Sequence, residues 1–354
     1  MKTAYTFDDI QIIPKYSEIS SRSECNINAR LTKNTTIETP YVSAPMDTVT
    51  DFEMASFMMG YGGMGVLHRF MTIEEQSRKI EEIKLARINH GRVYSQPETK
   101  TCAAIGATGD YQERSKELVK KGAQILLIDV AHGNTLHVRE ALDWCKQNLP
   151  SYIEIIAGNV STYEGAYNLA KWGADAIRVG IGNGSLCETR IRTGIGIPQV
   201  TALLDCIRGV EESGIDVPVI ADGGMKTPGD VAKALSLGAD TVMLGSLLSG
   251  TKESPGEIQK VGSWPNEQLF KKYRGSASAE TKRVHGLQEK NVEGNSKLIP
   301  YKGKSKRILD DISDGLRSSM SYVNAKDLNE FRLFSEHVII TQNGLVEAKP
   351  HLLL

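Results

Sequence analysis

Eight short, predominantly apolar runs recur between residues 41 and 244: Tyr41–Ala44, Gly65–Leu67, Cys102–Ile105, Ile125–Ile128, Ile153–Ala157, Ala176–Val179, Val217–Ala221 and Thr241–Leu244. Most are followed by a segment with apolar residues three and four apart, as in Glu74–Lys84, Tyr111–Lys121, Val138–Gln147, Tyr163–Trp172, Gln199–Glu212 and Pro228–Leu237. Strands separated by helices cannot pair as hairpins, so they lie parallel. A parallel strand covered on both faces is apolar over nearly its whole length, as most of these are. Eight such units predict an α/β fold, a closed (β/α)8 TIM barrel of about 250 residues. KGAQILLIDV, KWGADAIRVG and SLGADTVMLG share one layout, a helix closed by Gly122, Gly173 or Gly238 and then a strand. Repeated units of this kind favour a barrel over an open sheet.

From Ser249 to Lys306 the alternation lapses into polar sequence rich in Gly, Ser and Lys. A long stretch of this kind after the eighth strand predicts an active-site lid or flap without its own core, at about residues 249–306. Ile308–Tyr322 then reads as a helix, Phe334–Thr341 as a strand, and the remainder as a loose tail. No Pro- or Ser-rich linker divides the chain, so residues 1–354 read as a single barrel domain.

Lys and Arg number 42 against 43 Asp and Glu, a formal net charge of -1. No global positive field gathers nucleic acid or anionic lipid, so an anionic ligand must be held locally. No apolar run approaches the roughly 20 residues of a membrane helix, and Met1–Asp8 lacks the layout of a signal peptide. The expectation is a cytoplasmic protein with neither membrane nor nucleic acid as partner. Its five cysteines, Cys25, Cys102, Cys145, Cys187 and Cys206, form no CxxC or Cys/His cluster, which suggests neither disulfides nor a zinc site.

In such barrels function sits at the C-terminal ends of the strands. The most unusual of those ends is Val179-Gly-Ile-Gly-Asn-Gly-Ser-Leu-Cys187-Glu-Thr189-Arg190. Its alternating glycines let the backbone turn tightly and expose amides and carbonyls, while Ser185, Cys187 and Thr189 gather reactive side chains in one loop. Unpaired thiols are ordinarily buried and inert, the reading given to the other four cysteines. Cys187 differs by position, placed beside polar groups as a nucleophile would be. Ala221-Asp222-Gly223-Gly224 and Leu244-Gly245-Ser246 end the seventh and eighth strands, where barrels commonly hold a phosphate on backbone amides. Such glycines also serve simply to make turns, the less favoured reading at these strand ends. Asp222 is placed to hold a ribose diol.

At this point the chain resembles the inosine monophosphate dehydrogenase / GMP reductase family nearly end to end. Tyr5-Thr-Phe-Asp-Asp-Ile-Gln-Ile-Ile-Pro14, Ser43-Ala-Pro-Met-Asp-Thr-Val49, Ala157-Gly-Asn-Val160, the Cys187 loop through Pro198-Gln199, Ala221-Asp-Gly-Gly224, Pro228-Gly-Asp-Val-Ala-Lys-Ala234 and Tyr301-Lys-Gly303 follow the family's motifs in its order. The resemblance implies a purine 5′-monophosphate in the barrel mouth, a covalent bond from Cys187 to C2 of the base, and a nicotinamide cofactor exchanging hydride there. It assigns proton transfer to Thr189 and Glu293. Substrate contacts fall to Ser185, Asp222, Gly223, Gly224, Gly245, Ser246, Gly275, Ser276 and Gly294. The nicotinamide falls to Asp129-Val130-Ala131, and the rest of the cofactor to Ser21, Arg22, Arg69, Ser318 and Ser321, with Arg22 reaching from a neighbouring subunit of a homotetramer. A guanidinium suits a 2′-phosphate, which favours NADPH. A potassium ion on the backbone carbonyls of Gly182, Gly184 and Cys187 is likewise implied. His132 reads as a satisfied loop residue.

Within the family, features point both ways. Only Leu85–Lys100 lies where many dehydrogenases carry a tandem regulatory insertion. The dehydrogenases also carry an adjacent Arg-Tyr pair in the flap, whose arginine activates water. Here Arg283-Val284-His285 lacks the tyrosine. Gly275-Ser-Ala-Ser278, Asn291-Val-Glu-Gly294 and Ser318-Ser-Met-Ser-Tyr322 are instead similar to reductases. Ser43-Ala-Pro-Met-Asp-Thr-Val-Thr50 and Gly62-Gly-Met-Gly-Val-Leu-His68 look more like dehydrogenases, and Asn183 and Glu188 depart from both. The expectation is a GMP reductase, with the dehydrogenase as alternative and a non-catalytic nucleotide-binding barrel as a third.

Overall fold

The computed structural model describes residues 1–89, 100–263, 266–286 and 288–349. Eight parallel strands close into a barrel: β1 (Tyr41–Ser43), β2 (Met64–Leu67), β3 (Cys102–Ile105), β4 (Ile125–Asp129), β5 (Glu154–Val160), β6 (Ala176–Val179), β7 (Val219–Asp222) and β8 (Thr241–Leu244). Each pairs with its neighbours in sequence, and β8 returns to β1 through Val242 against Tyr41 and Leu244 against Ser43. The predicted strands are all present.

The surrounding helices are α1 (Phe52–Tyr61), α2 (Ile73–Asn89), α3 (Tyr111–Lys121), α4 (Leu136–Asn148), α5 (Tyr163–Lys171), a short α6 (Thr189–Thr193), α7 (Gln199–Ser213) and α8 (Pro228–Ser236). Gly122, Gly173 and Gly238 all take positive φ after their helices, as the repeated layout requires. Sequence periodicity missed α1 because FEMASFMMGY is apolar nearly all round: Met54, Ala55, Met58 and Met59 are buried, and Phe52, Phe57 and Tyr61 pack against the core. Helix α1 also lies close to β2, since a Cβ on Gly65 would stand 2.5 Å from Ala55 Cα.

A hairpin, Ala29–Thr32 with Thr35–Ile37, packs at the N-terminal end of the barrel, where Glu154 at the start of β5 accepts from the Asn34 amide (2.8 Å), from Lys100 (2.7 Å) and from the Thr35 hydroxyl. The opposite mouth is left for function.

Two expectations are corrected beyond β8. The flap is no coreless loop but an antiparallel sheet of β9 (Gln259–Val261), β10 (Gln268–Arg274) and β11 (Ser296–Pro300), with helix α9 (Ala279–Val284) between the last two. Its buried positions on β10 are Lys271 and Tyr273, so the alternation is present but written in polar residues. Lys271 Nζ donates to the carbonyls of Thr251 (3.0 Å) and Ser254. After α10 (Ser305–Tyr322), Phe334 closes helix α11 (Leu328–Phe334) rather than opening a strand, and only His337–Ile339 is extended, antiparallel to Ile10–Ile12. Residues 90–99, within the segment read as lacking an insertion, lie outside the described residues, as do 264, 265 and 287 of the flap. No helix among the described residues is long and apolar enough to cross a membrane.

Candidate active site

A cavity of about 470 Å³ opens at the C-terminal mouth, between the strand ends and the flap. That volume suits a small ligand. The loop after β6 forms one wall. Gly180, at φ +147°, admits no side chain because a Cβ would lie 2.1 Å from the Asp222 carbonyl oxygen, so the loop leaves β6 pressed against the end of β7. The Cys187 amide donates to Gly184 O at 3.0 Å, turning the chain so that α6 begins at Thr189.

This turn sets Cys187 Sγ 3.2 Å from Thr189 Oγ1, and Thr189 Oγ1 donates to Glu293 Oε2 at 2.8 Å. With the threonine proton given to the carboxylate, the thiol donates to Thr189, so the three groups form one proton path from sulfur to carboxylate. Glu293 arrives from 104 residues away and is held by the backbone: Glu188 N donates to Glu293 O (2.8 Å), Glu293 N to Ala277 O (3.2 Å), and Cys187 bridges Gly294 in strand register. The other four cysteines are buried, and burial pushes their thiols up, that of Cys145 to about 12. Cys187 is the only thiol with access to the cavity.

The floor is charged. Arg178, deep in β6, donates from Nη1 to Asp129 Oδ1 (2.6 Å) and from Nε to Asp222 Oδ2 (3.0 Å), and Asn159 Nδ2 adds a bond to Asp222 at 2.8 Å. One buried guanidinium thus joins the ends of β4 and β7 by pairing with both carboxylates, and Arg69 Nε stands 4.0 Å from Asp129 Oδ2 as a second positive charge. Arg178→Met should leave Asp222 without its counter-ion and Asp129 with only the longer contact to Arg69, both carboxylates being largely shielded from solvent, and by the general cost of breaking a buried pair should remove about 3 kcal/mol. Chemical denaturation of the variant against the parent measures this, and an unchanged midpoint would contradict it.

Gly223, Gly224, Gly245 and Ser246 line the cavity on the β7 and β8 side, with Gly275 and Ser276 from the flap above them. Gly223 and Gly224 both take positive φ, near +83° and +82°, where a side chain would be strained. Tyr273 Oη lies 3.2 Å from Ser185 Oγ, joining the flap to the cysteine loop. Asp129, Val130 and Ala131 line the β4 side, and Arg69 reaches them by donating to Asp129 O at 3.4 Å, its guanidinium 5.3 Å above the Phe70 ring. Gly182, Gly184, Ser185, Asp222 and Gly294 also face the cavity.

Four expected residues do not. Ser21 caps the exposed turn Arg22–Glu24, which packs on α10. On α10 itself, Ser318 and Ser321 donate to the carbonyls of Asp314 and Ser318, each at 2.8 Å. These four residues lie outside the cavity lining of their own chain. Conversely, sequence reasoning gave no role to Arg178, Asn159, Tyr273 or Lys282, all of which line it. An arginine inside the otherwise apolar run Ala176–Val179 was the available signal for the first.

The flap is pinned to the barrel by Asp47, in the loop after β1. Its Oδ2 accepts from Arg274 Nη2 (2.7 Å) and is 2.9 Å from His285 Nε2. Arg283 faces outward and pairs with Glu289 at 2.9 and 3.1 Å. Near the pin lies His68, whose Nδ1 accepts the Phe70 amide at 3.2 Å, and whose burial holds its pKa down at about 4. Because the folded value lies below the unfolded 6.5, the unfolded chain takes up this proton first, so stability falls as pH drops from about 6.5 towards 4, by roughly 3 kcal/mol at most. Denaturant midpoints at pH 7 and pH 5 should differ less in His68→Gln than in the parent, and an equal difference would remove His68 as the cause.

A (β/α)8 barrel with an accessible thiol, a charged floor and a glycine-lined end at its C-terminal mouth has the layout of a barrel enzyme with its site at the strand ends. The chain matches the model of the IMP dehydrogenase / GMP reductase domain over residues 4–351. It belongs to that family, oxidoreductases of purine nucleotides that use a nicotinamide cofactor. It is 36% identical to inosine-5′-monophosphate dehydrogenase of Borreliella burgdorferi over 400 residues, covering 99% of this chain and 97% of that one. It is 31% identical to the Nitrosopumilus maritimus dehydrogenase over 475 residues, with 99% and 98% covered. A solved GMP reductase variant of Trypanosoma brucei, in complex with guanosine 5′-monophosphate, superimposes with a TM-score of 0.91 at 27% identity, covering 99% and 98% of the two chains.

Proposed function

We propose that this chain is a GMP reductase, converting GMP, NADPH and two protons into IMP, NADP⁺ and ammonium. The observation that carries this reading is the Cys187–Thr189–Glu293 path, together with an Arg283 turned away from the cavity. Cys187 passes its proton along the path and its sulfur adds to C2 of the purine. Glu293, now holding that proton, returns it through Thr189 to the exocyclic amine, which leaves as ammonia when the C2–N bond breaks. NADPH, when bound, would supply the hydride that C2 then needs; cleavage of the C2–S bond releases the thiolate, which takes one proton from solvent while the departing ammonia takes the other. A dehydrogenase must instead bring water to the same carbon, and no arginine of the flap helix lines the cavity to activate it.

The remaining assignments follow the same reading. Gly223, Gly224, Gly245, Ser246 and Ser276 hold the phosphate and Asp222 the ribose, where the pair with Arg178 fixes the carboxylate. Asp129, Val130, Ala131 and Arg69 line the cavity on the β4 side and would take the nicotinamide. Ser21, Arg22, Ser318 and Ser321, which lie beside or on α10, would serve the rest of the cofactor, with Arg22 reaching into the site of a neighbouring subunit of a homotetramer. The uncharged carbonyls of Gly182, Gly184 and Cys187 suit a weakly charged ion such as potassium, and no group of acidic, His or Cys residues fit for a divalent ion occurs among the described residues.

The dehydrogenase reading draws on the Borreliella burgdorferi relative and on one from Cryptosporidium parvum, 36% identical over 390 residues. Alignments so short, over 97% and 94% of those dehydrogenases, leave little room for a large insertion, so its lack does not discriminate. Incubation with GMP and NADPH, and separately with IMP and NAD, decides between the two by the absorbance of the reduced cofactor.

A further inference from the structure

Helix α9 and its C-terminal cap carry three anchors whose side chains go three ways. Arg283 points outward to Glu289. Lys282 Nζ donates to the Asn291 carbonyl at 2.8 Å and also to that of Lys290, closing the turn that leads directly into Glu293. His285, at the C-terminal cap, points into the barrel, where Nε2 meets Asp47 Oδ2 and the ring lies 5.6 Å from that of Phe70. Asp47 has a side chain only 3% exposed and also holds Arg274, at the end of β10. A nearly buried carboxylate with two partners on the flap is a fixed point, since moving either partner away leaves charge without solvent.

We infer that His285, acting through Asp47, is a positioning residue for Glu293, and that it keeps the flap seated over Cys187. The chain of contacts is continuous. Asp47 belongs to the rigid barrel; His285 fastens α9 to it; Lys282 fastens α9 to residues 290 and 291; and Glu293 and Gly294, two and three residues further on, are in register with Glu188 and Cys187. Without His285 the side-chain tie from this end of the flap to Asp47 is lost, while Arg274 still holds β10. The consequence is local: α9 and the 290–294 turn loosen, the Thr189–Glu293 bond lengthens, and the thiol gains solvent. His285 does not line the cavity, so this effect does not pass through contact with substrate.

This inference rests on the reading that Glu293 serves Cys187, and its test separates the two. The rate of Cys187 alkylation by iodoacetamide, followed by mass spectrometry of the intact protein, needs neither nucleotide nor cofactor, and the other four thiols are buried. His285→Ala should raise that rate about tenfold, and His285→Gln, which keeps a donor toward Asp47, should restore it most of the way. In the direction the parent enzyme runs, His285→Ala should lower kcat by about tenfold or more with KM for the nucleotide changed less than about threefold, because the phosphate end is held by other residues. Alkylation of His285→Ala at the parent rate, in a variant with parental circular dichroism, would overturn the inference. A rise in KM with kcat intact would overturn it as well. Activity with IMP and NAD instead of GMP and NADPH would overturn the reductase reading alone, leaving the alkylation result to stand.

Discussion

Cys187→Ser should lower turnover by roughly a thousandfold or more while leaving GMP affinity within a few-fold of the parent, because covalent catalysis is removed and the groups beneath the nucleotide are untouched. The structure explains why no other residue substitutes. Cys25, Cys102, Cys145 and Cys206 are buried, and their thiols are held protonated by that burial. Ser185 lies in the same loop, but its hydroxyl is taken up with Tyr273 at 3.2 Å. Affinity by calorimetry beside steady-state rates makes the test, and a variant keeping a tenth of the parental turnover would exclude Cys187 as nucleophile.

The second large effect concerns direction. The protein should consume NADPH with GMP, releasing ammonia, at least about a hundredfold faster than it reduces NAD with IMP, since loss of a group that activates the attacking water typically costs roughly 10²- to 10⁴-fold. Glu293→Gln should then slow the reductase reaction by about 10²-fold or more with little change in KM, because the amide keeps the carboxylate's size and can still meet Thr189 but carries no proton between steps. Robust formation of XMP from IMP and NAD would mean that another group activates water, and the outward course of Arg283 in this structure would not describe the working enzyme. If Glu293→Gln raised KM and left kcat alone, the carboxylate would be a binding group instead.

The barrel was legible because its information is local. A run such as Ile125–Ile128 followed by a helical period is enough to define a strand and its covering helix, and eight repetitions leave closure as the economical arrangement. Helix α1 escaped notice because its contacts surround it, and periodicity exists only where one face meets water. The flap sheet escaped for a related reason: at Lys271 and Tyr273 polar groups are buried by satisfying them with carbonyls and hydroxyls, which no hydropathy pattern records.

At the site, the sequence by itself determined which chemical groups exist: a thiol in a glycine loop, glycines at the ends of the seventh and eighth strands, and motifs whose order carried the family. Only the tertiary structure decided which of them meet. Glu293 lies 104 residues from Thr189, yet their side chains stand 2.8 Å apart. Arg178 joins Asp129 and Asp222, and His285 turns inward where Arg283 turns out. Such pairings depend on the path of the whole chain around a closed barrel and on which side of a short helix each residue falls. Hydrogen bonds act over about 3 Å, a distance that separation along a chain does not encode.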